Sequence, residues 1–322
     1  MSGQHHWTTA DRAEVAHYPA RLRRTRRVGA ETDRREGDYL QMTFELPVEA
    51  GFAAVARPGQ FVALSVGDAT SAQLLRRAFS IHAVTAGGDQ GPGQVDPFTG
   101  QSAAQYDSVD LVVAAAGAGT RWLTGRSAGL EVDLVGPLGR PFPLPTQPVT
   151  CVLVGGGYGS APLFWLADVL RSRGCHVEMV LGAATRHRLY GVDLAQVRSD
   201  AVVVTTDDGT LGIRGRVSDV LAEVLTGCQA GAVYACGPMP MLEAVSAIAA
   251  EHGAVAQVAV EESMACGIGV CMTCVLPVED KGGTTRMVRS CVEGPVFRGD
   301  RVRWDAFEQG WCTVPEDTWG AS

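Results

Sequence analysis

The sequence predicts a multidomain chain in three parts: an antiparallel β-barrel, an α/β domain on a parallel sheet, and a small C-terminal domain organised by cysteines. Three observations carry this. Up to about Pro148, short alternating apolar runs are broken by turn residues, with little helical periodicity. Beyond Pro148, buried-type strands alternate with helical stretches, the pattern of crossover units. Near the end, Cys266, Cys271 and Cys274 crowd together and Cys291 follows.

In order, residues 1–19 show no periodicity and read as a mobile N-terminal arm. The barrel is expected over 20–148. Arg21, Arg23, Arg24, Arg26 and Arg27 open it, flanked by Leu22 and Val28, and read as a solvated strand and turn rather than a site for polyanions. Tyr39 to Leu46 alternates as a half-buried strand does, and Phe61–Val66, Phe79–Val84, Leu111–Ala115 and Leu130–Val135 add further strands. The Gly- and Gln-rich stretch from Gly87 through Asp107 reads as a flexible hairpin insertion.

The α/β domain is expected over 149–254. Its strands are Thr150–Val154, Val177–Gly182, Ala201–Thr206 and Ala232–Cys236; its helices are Ala161–Arg173, Val217–Leu225 and Met239–Glu251. Residues 255–322 form the cysteine-bearing domain.

The whole chain has 322 residues and a net charge of -8, which argues against a nucleic-acid partner, since phosphate binding asks for a basic face. No apolar run is long enough to span a membrane, and the N-terminus lacks the apolar core of a signal peptide. Nine cysteines without a secretion signal indicate a reducing compartment, so a cytoplasmic location is expected.

The cysteine loop is the most specific motif. Four and then two residues separate Cys266, Cys271 and Cys274, the spacing of a plant-type 2Fe-2S site with Cys291 as fourth ligand. Gly267 and Gly269 suit a loop that wraps a cluster, because only glycine accepts its backbone angles freely. A structural zinc site remains the alternative, although it prefers two close pairs of thiols.

Four weaker motifs precede it. Gly155-Gly156-Gly157-Tyr158-Gly159 lies between a strand and a helix, where glycines and a helix N-terminus accept a pyrophosphate. A tight strand–helix turn would use the same glycines. Arg76-Arg77-Ala78-Phe79-Ser80 offers a guanidinium for a diphosphate, an aromatic ring to cover a flavin and a hydroxyl to bond it; a surface arginine pair beside a core Phe is the plain reading. Gly117-Ala118-Gly119-Thr120 can wrap a phosphate or ribose, or be a plain loop. Cys236-Gly237-Pro238 lies at the end of a strand, and ligands of an open parallel sheet bind at the carboxyl ends of its strands; a buried thiol before a turn is the plain reading. No Ser-His-Asp set or paired carboxylates stand out, so no catalytic residue is assigned.

As an ordered set these motifs resemble the electron-transfer subunits of class 1B dihydroorotate dehydrogenases, a family of the ferredoxin reductase superfamily. The likeness spans about residues 20 to 305. It includes Gly136-Pro137-Leu138-Gly139, Thr206-Asp207-Asp208-Gly209-Thr210, Gly294-Pro295-Val296-Phe297 and, most specifically, Glu262-Ser263-Met264-Ala265-Cys266-Gly267-Ile268-Gly269. The resemblance implies an FAD-binding barrel, a nicotinamide domain and a 2Fe-2S domain. It implies that Arg77, Phe79, Ser80, Gly119 and Thr120 contact FAD. Gly155, Gly156, Gly157 and Gly159 would line the NAD(H) site, with Cys236 and Gly237 near the nicotinamide. Cys266, Cys271, Cys274 and Cys291 would hold the cluster.

The implied partner is an FMN-containing dihydroorotate dehydrogenase catalytic subunit, two of each forming a heterotetramer in pyrimidine biosynthesis. Ala78 departs from the family's usual proline, and the insertion after Gly87 is unusual. A related flavin and iron–sulfur NAD(P)H reductase subunit serving another partner is the alternative within this class. A non-enzymatic metal or nucleotide sensor is the alternative outside it. Thr185, Arg186 and Arg188 leave NAD against NADP open.

Overall fold

The computed structural model describes residues 7–8, 14–29, 39–68, 70–87, 106–308 and 311–318. The expected mobile arm over 1–6 and 9–13, and the hairpin insertion over 88–105, lie outside them.

Six strands close an antiparallel barrel: β1 (Ala16–Val28), β2 (Tyr39–Pro47), β3 (Phe61–Leu64), β4 (Arg77–Thr85), β5 (Tyr106–Ala114) and β6 (Glu131–Leu138), in the order β1-β2-β5-β4-β3-β6. Leu22, Met42, Phe44, Leu64, Ile81, Leu111 and Leu134 fill its interior. Two short helices, α1 (Phe52–Val55) and α2 (Ala118–Thr124), decorate it.

The barrel starts earlier than expected. Ala16 pairs with Gly136, so the end of the expected arm is strand. Tyr18, Ala20 and Leu22 point inward while His17, Pro19 and Arg21 face out; the alternation is real but carried by small and polar residues. Trp7 also bridges to Pro145 and Thr8 N–H donates to the Leu144 carbonyl at 2.9 Å, so part of the arm is docked. Likewise β5 begins inside the expected insertion. Asp107 is buried there, and its carboxylate accepts from the backbone N–H groups of Ala53 at 2.8 Å and Gly87 at 2.9 Å. A satisfied buried carboxylate is the reason this strand end reads as loop.

The second body is a seven-stranded sheet. Its members are β7 (Thr150–Gly156), β8 (His176–Ala183), β9 (Ala201–Thr206), β10 (Ile213–Arg214), β11 (Ala232–Cys236), β12 (Val255–Ala259) and β15 (Val296–Arg298), in the order β10-β9-β8-β7-β11-β12-β15. Helices α3 (Ala161–Ser172), α4 (Val192–Arg198), α5 (Val217–Cys228) and α6 (Met239–Glu251) connect it. Leu163, Phe164, Leu166, Ala167 and Leu170 give α3 a buried stripe at helical spacing.

This sheet runs past the expected boundary at residue 254. β12 pairs parallel with β11, and β15 returns antiparallel against β12. The cysteine segment, with its hairpin β13 (Val275–Glu279) and β14 (Thr285–Arg289), is therefore held between two strands of one sheet. Among the described residues, no helix is long and apolar enough to cross a membrane.

Candidate functional site

The four thiols fall into two pairs. Cys266 and Cys271 lie within hydrogen-bond reach of each other, as do Cys274 and Cys291. The first pair is open, with Cys271 exposed; the second is buried. Gly267 and Gly269 adopt φ of 71° and 87°, so the glycines expected to permit the loop do so. Backbone N–H groups turn inward: Val270 donates to the Cys266 sulfur at 3.3 Å and Cys291 to the Cys274 sulfur at 3.4 Å. The Arg289 guanidinium ties the loop by donating to the Gly269 carbonyl at 2.8 Å.

These contacts set the thiol chemistry. The Thr273 hydroxyl and N–H, then Cys266, bring the Cys271 thiol down to about 6. Partial burial opposes ionisation of Cys266, but N–H groups of Cys271, Ile268 and Val270 hold it below its ordinary value. Burial and the neighbouring Cys274 push Cys291 up to about 12. Two thiols on each of two irons is what a 2Fe-2S cluster asks, whereas one zinc asks for four around a point. The donor set fits the two-iron cluster.

The buried pair packs with Phe61, Ala63, Val135 and Leu138 on the barrel, and with Met264. Phe61 and Met264 also line a cavity of about 350 Å³, shared with Phe79, Ser80, Tyr158, Gly159, Cys236, Glu261 and Glu262. Phe61 and Ser80 are direct strand partners. One aromatic side chain therefore touches the thiol pocket on one side and this cavity on the other.

Arg76 and Arg77 divide their work. Arg76 pairs with the Asp133 carboxylate and donates to its carbonyl at 2.8 Å, which pins it to the barrel. Arg77 reaches the Leu75 carbonyl at 2.6 Å and Gln73 Oε1 at 2.8 Å, and its guanidinium covers Gly119: a Cβ there would lie 2.7 Å from Arg77 Nε. Thr120 Oγ1 accepts from Gly117 N–H at 2.9 Å. Arg77, Gly119 and Thr120 thus meet beside the strand of Phe79 and Ser80. Ala78 sits inside β4 opposite Ala63, so the strand forms without a proline.

A second cavity, of about 510 Å³, lies over the carboxyl ends of β7, β8, β9 and β11 and is lined by Gly156, Gly157, Asp207, Arg188, Arg216 and Tyr39, among others. Tyr158 and Glu261 border both cavities, which makes one cleft of them. The buried Thr205 hydroxyl in its wall has no hydrogen-bond partner among the described residues, as expected of a site that takes a polar ligand.

The glycines divide in use. A Cβ at Gly155 would strike Ser160 at 2.5 Å, at Gly156 Pro238 at 2.8 Å, and at Gly159 the Cys236 carbonyl at 3.0 Å. These serve close packing of the turn on Cys236-Gly237-Pro238. Gly157, at φ 57°, is in the left-handed region, and a Cβ there would meet the Arg188 carbonyl only at ordinary contact distance, 3.5 Å. Cys236 is buried, and burial drives its thiol far above its ordinary value. Tyr158, Tyr39, Glu261, Asp207 and Thr205 line the cleft and are outside the expected site set; Tyr158 and Asp207 lie within motifs read from the sequence, whereas Tyr39, Thr205 and Glu261 do not. A further cavity of about 510 Å³, near Phe142 and Trp165, contains none of the expected residues.

Comparison with known proteins agrees with this architecture. Residues 261–303 match the family described as the iron-sulfur cluster binding domain of dihydroorotate dehydrogenase B. The chain is 34% identical to the dihydroorotate dehydrogenase B (NAD(+)) electron transfer subunit of Desulforamulus reducens, over 82% of this chain and 92% of that one. It is 37% identical to the subunit of the same name from Geobacillus thermodenitrificans, over 81% and 93%. Among solved structures it resembles an NADH-dependent reduced ferredoxin-NADP oxidoreductase, with TM-score 0.67 and 25% identity over 88% of this chain and 90% of that one. The ferredoxin reductase of carbazole 1,9a-dioxygenase shares the fold, with TM-score 0.55 and 20% identity over 75% and 67%.

Proposed function

Because the chain belongs to the family of dihydroorotate dehydrogenase B electron transfer subunits, we propose that it carries electrons between an FMN-containing catalytic subunit, which oxidises dihydroorotate to orotate, and NAD. The cofactors of this oxidoreductase are a 2Fe-2S cluster, FAD and NAD(H). FAD supplies the step between single electrons and a hydride. The working unit in this reading is a heterotetramer of two subunits of each kind.

The observation that carries the reading is the unbroken line from the exposed thiol pair, through the buried pair and Phe61, to the cavity and its open cleft. Cys266, Cys271, Cys274 and Cys291 hold the cluster. Arg77 with Gly119 and Thr120 binds the FAD diphosphate, and Phe79 and Ser80 border its ring. Gly156 and Gly157 receive the dinucleotide, while Gly155, Gly159 and Gly237 keep the turn close to Cys236.

The outer thiols face the partner. Ile268, Val270 and Met272 around them are 47%, 75% and 53% exposed, which suits a face that another subunit covers. The chain alone should oxidise NADH with dyes but leave dihydroorotate untouched, and adding the cognate FMN subunit should create NAD-linked dihydroorotate oxidation. Ile268→Asp should weaken that coupled reaction more than dye reduction. Unaided dihydroorotate oxidation by this chain would overturn the subunit reading; an unchanged coupled rate in Ile268→Asp would move the docking face elsewhere.

A further inference from the structure

A single electron that reaches an iron–sulfur cluster brings no proton, so each reduction adds one unit of negative charge among the thiolates. Cations and N–H groups turned toward the sulfurs then decide how readily that charge is accepted. The cysteine segment holds one cation that no carboxylate neutralises.

Five arginines lie between residues 286 and 303. Arg286 pairs with Asp280, Arg298 with Asp300, Arg301 with Glu279, and Arg303 with Asp305 and Asp317. Arg289 is the exception. Among the described residues it makes no ion pair, and its Nη1 donates instead to the Gly269 carbonyl at 2.8 Å. It ends β14 opposite Val275, the residue after Cys274, and Cys291 follows two residues later. Its backbone therefore sits beside the buried thiols while its guanidinium reaches the loop of the outer ones. Arg289 is half-buried, so salt screens it less than a surface charge.

The carbonyl it holds belongs to the peptide between Gly269 and Val270. The N–H of that same peptide donates to the Cys266 sulfur at 3.3 Å. One residue back, the Gly269 N–H turns to the Cys291 sulfur. A cation bonded to a peptide oxygen polarises the peptide's own N–H, because hydrogen bonds in series strengthen one another. The arrangement requires glycine: at φ 87° a Cβ on residue 269 would lie 2.4 Å from Val292 Cγ2.

We propose that Arg289 tunes the cluster electrically: through the Gly269–Val270 peptide it strengthens the hydrogen bond to Cys266, favours the reduced state and raises the reduction potential. Arg289 is thus a positioning residue whose charge acts on a ligand through one peptide group. In the relay proposed above, on which the ligand set rests, it makes the cysteine domain a better acceptor for the partner's electrons.

The test uses the full chain loaded with its cluster and FAD, as wild type, Arg289→Lys, Arg289→Gln and Arg289→Met. It needs neither partner nor turnover. Dithionite supplies electrons in a mediated redox titration, and the paramagnetic signal of the reduced cluster is followed. Gln keeps a donor for the carbonyl but no charge; Lys keeps the charge. In Arg289→Gln the equilibrium for cluster reduction should shift roughly tenfold toward the oxidised form, about 59 mV lower for a one-electron couple, with iron and FAD content unchanged. Arg289→Met should shift at least as far, and Arg289→Lys should stay near wild type.

A wild-type potential in Arg289→Gln overturns the proposal. So does a shift in Arg289→Lys as large as that in Arg289→Gln, or loss of iron from both, since the arginine would then be only a tether for the loop. If the potentials move as expected but no FMN subunit restores dihydroorotate oxidation, the partner reading fails and the role of Arg289 stands.

Discussion

Replacing Arg77 by alanine tests the flavin side of the site most directly, because its neighbour provides a matched control. Among the described residues Arg77 bonds only neutral acceptors, the Leu75 and Arg76 carbonyls and Gln73 Oε1, and its guanidinium lies over Gly119. Exchanging such partners for a diphosphate gives a charge-assisted pair worth about 1.5–3 kcal/mol. Arg77→Ala should then weaken FAD binding by roughly ten- to a hundredfold. Arg76 is engaged with Asp133, in a pair with side chains 28% and 42% exposed. At that exposure the pair contributes up to about 1 kcal/mol, so Arg76→Ala should cost a little barrel stability and leave FAD affinity near wild type. Gly119→Ala provides a third point: the new methyl would sit 2.7 Å from Arg77 Nε and push the guanidinium aside. Flavin-stripped proteins titrated with FAD, followed by fluorescence quenching, give the affinities; iron content serves as the folding control. Loss of FAD in Arg76→Ala with none in Arg77→Ala would refute the division of labour.

Cys271→Ser should lose the cluster's iron and visible absorbance while FAD stays bound, since the exposed thiol belongs to the outer pair and the barrel is untouched; two irons per chain in the variant would remove Cys271 from the ligand set. His82 sits buried between the bodies, with Nδ1–H donating to the Ala161 carbonyl at 2.6 Å and Nε2 at 3.4 Å from the Tyr190 hydroxyl. Burial holds its imidazole below the ordinary value, so the folded chain keeps it neutral where the unfolded chain binds a proton. Stability should therefore be fully present above about pH 6.5 and fall as pH drops below it, by up to about 1.4 kcal/mol per unit. Denaturant unfolding at about pH 7.5 and 5.5 should show a smaller difference in His82→Phe than in wild type; equal differences would assign the pH dependence to other groups.

Local backbone conformation is legible in the sequence wherever a motif is itself a turn. The cysteine loop, the glycine turn before α3 and the strand-end Cys236-Gly237 all lie where their spacing placed them, because short-range backbone demands fix such segments. What the sequence hid are elements whose signal is tertiary. The start of β1 alternates through Ala16, Tyr18 and Ala20, too small and polar a set to stand out until β6 pairs with it. Asp107 looks like loop until two backbone donors satisfy it. Tyr39 and Glu261 come from separate bodies and meet only in the folded cleft. Of the two uses the sequence offers for Gly155 and Gly159, the close packing of a tight strand–helix turn is visible directly: their missing side chains make room for protein atoms.

The junction of the three parts explains why the cysteine segment interrupts a sheet instead of hanging from its end. Gly136–Gly139 of the barrel and Gly294–Phe297 before and within β15, far apart in sequence, come together: Arg140 N–H donates to the Gly294 carbonyl at 2.6 Å, and Gln60 Nε2 to the Gly139 carbonyl at 3.0 Å. Gly139, at φ 73°, leaves no room for a Cβ, which would lie 2.5 Å from Pro295 Cδ. The segment enters from β12 and leaves through β15, so both its ends are fixed to the sheet, while this junction fixes its flank to the barrel. Rate in an electron relay depends on holding separations constant. A domain tethered at one end would let the thiol pairs swing relative to Phe61. Anchoring at both ends and on the barrel keeps the buried pair against Phe61 while Cys271 of the outer pair stays exposed.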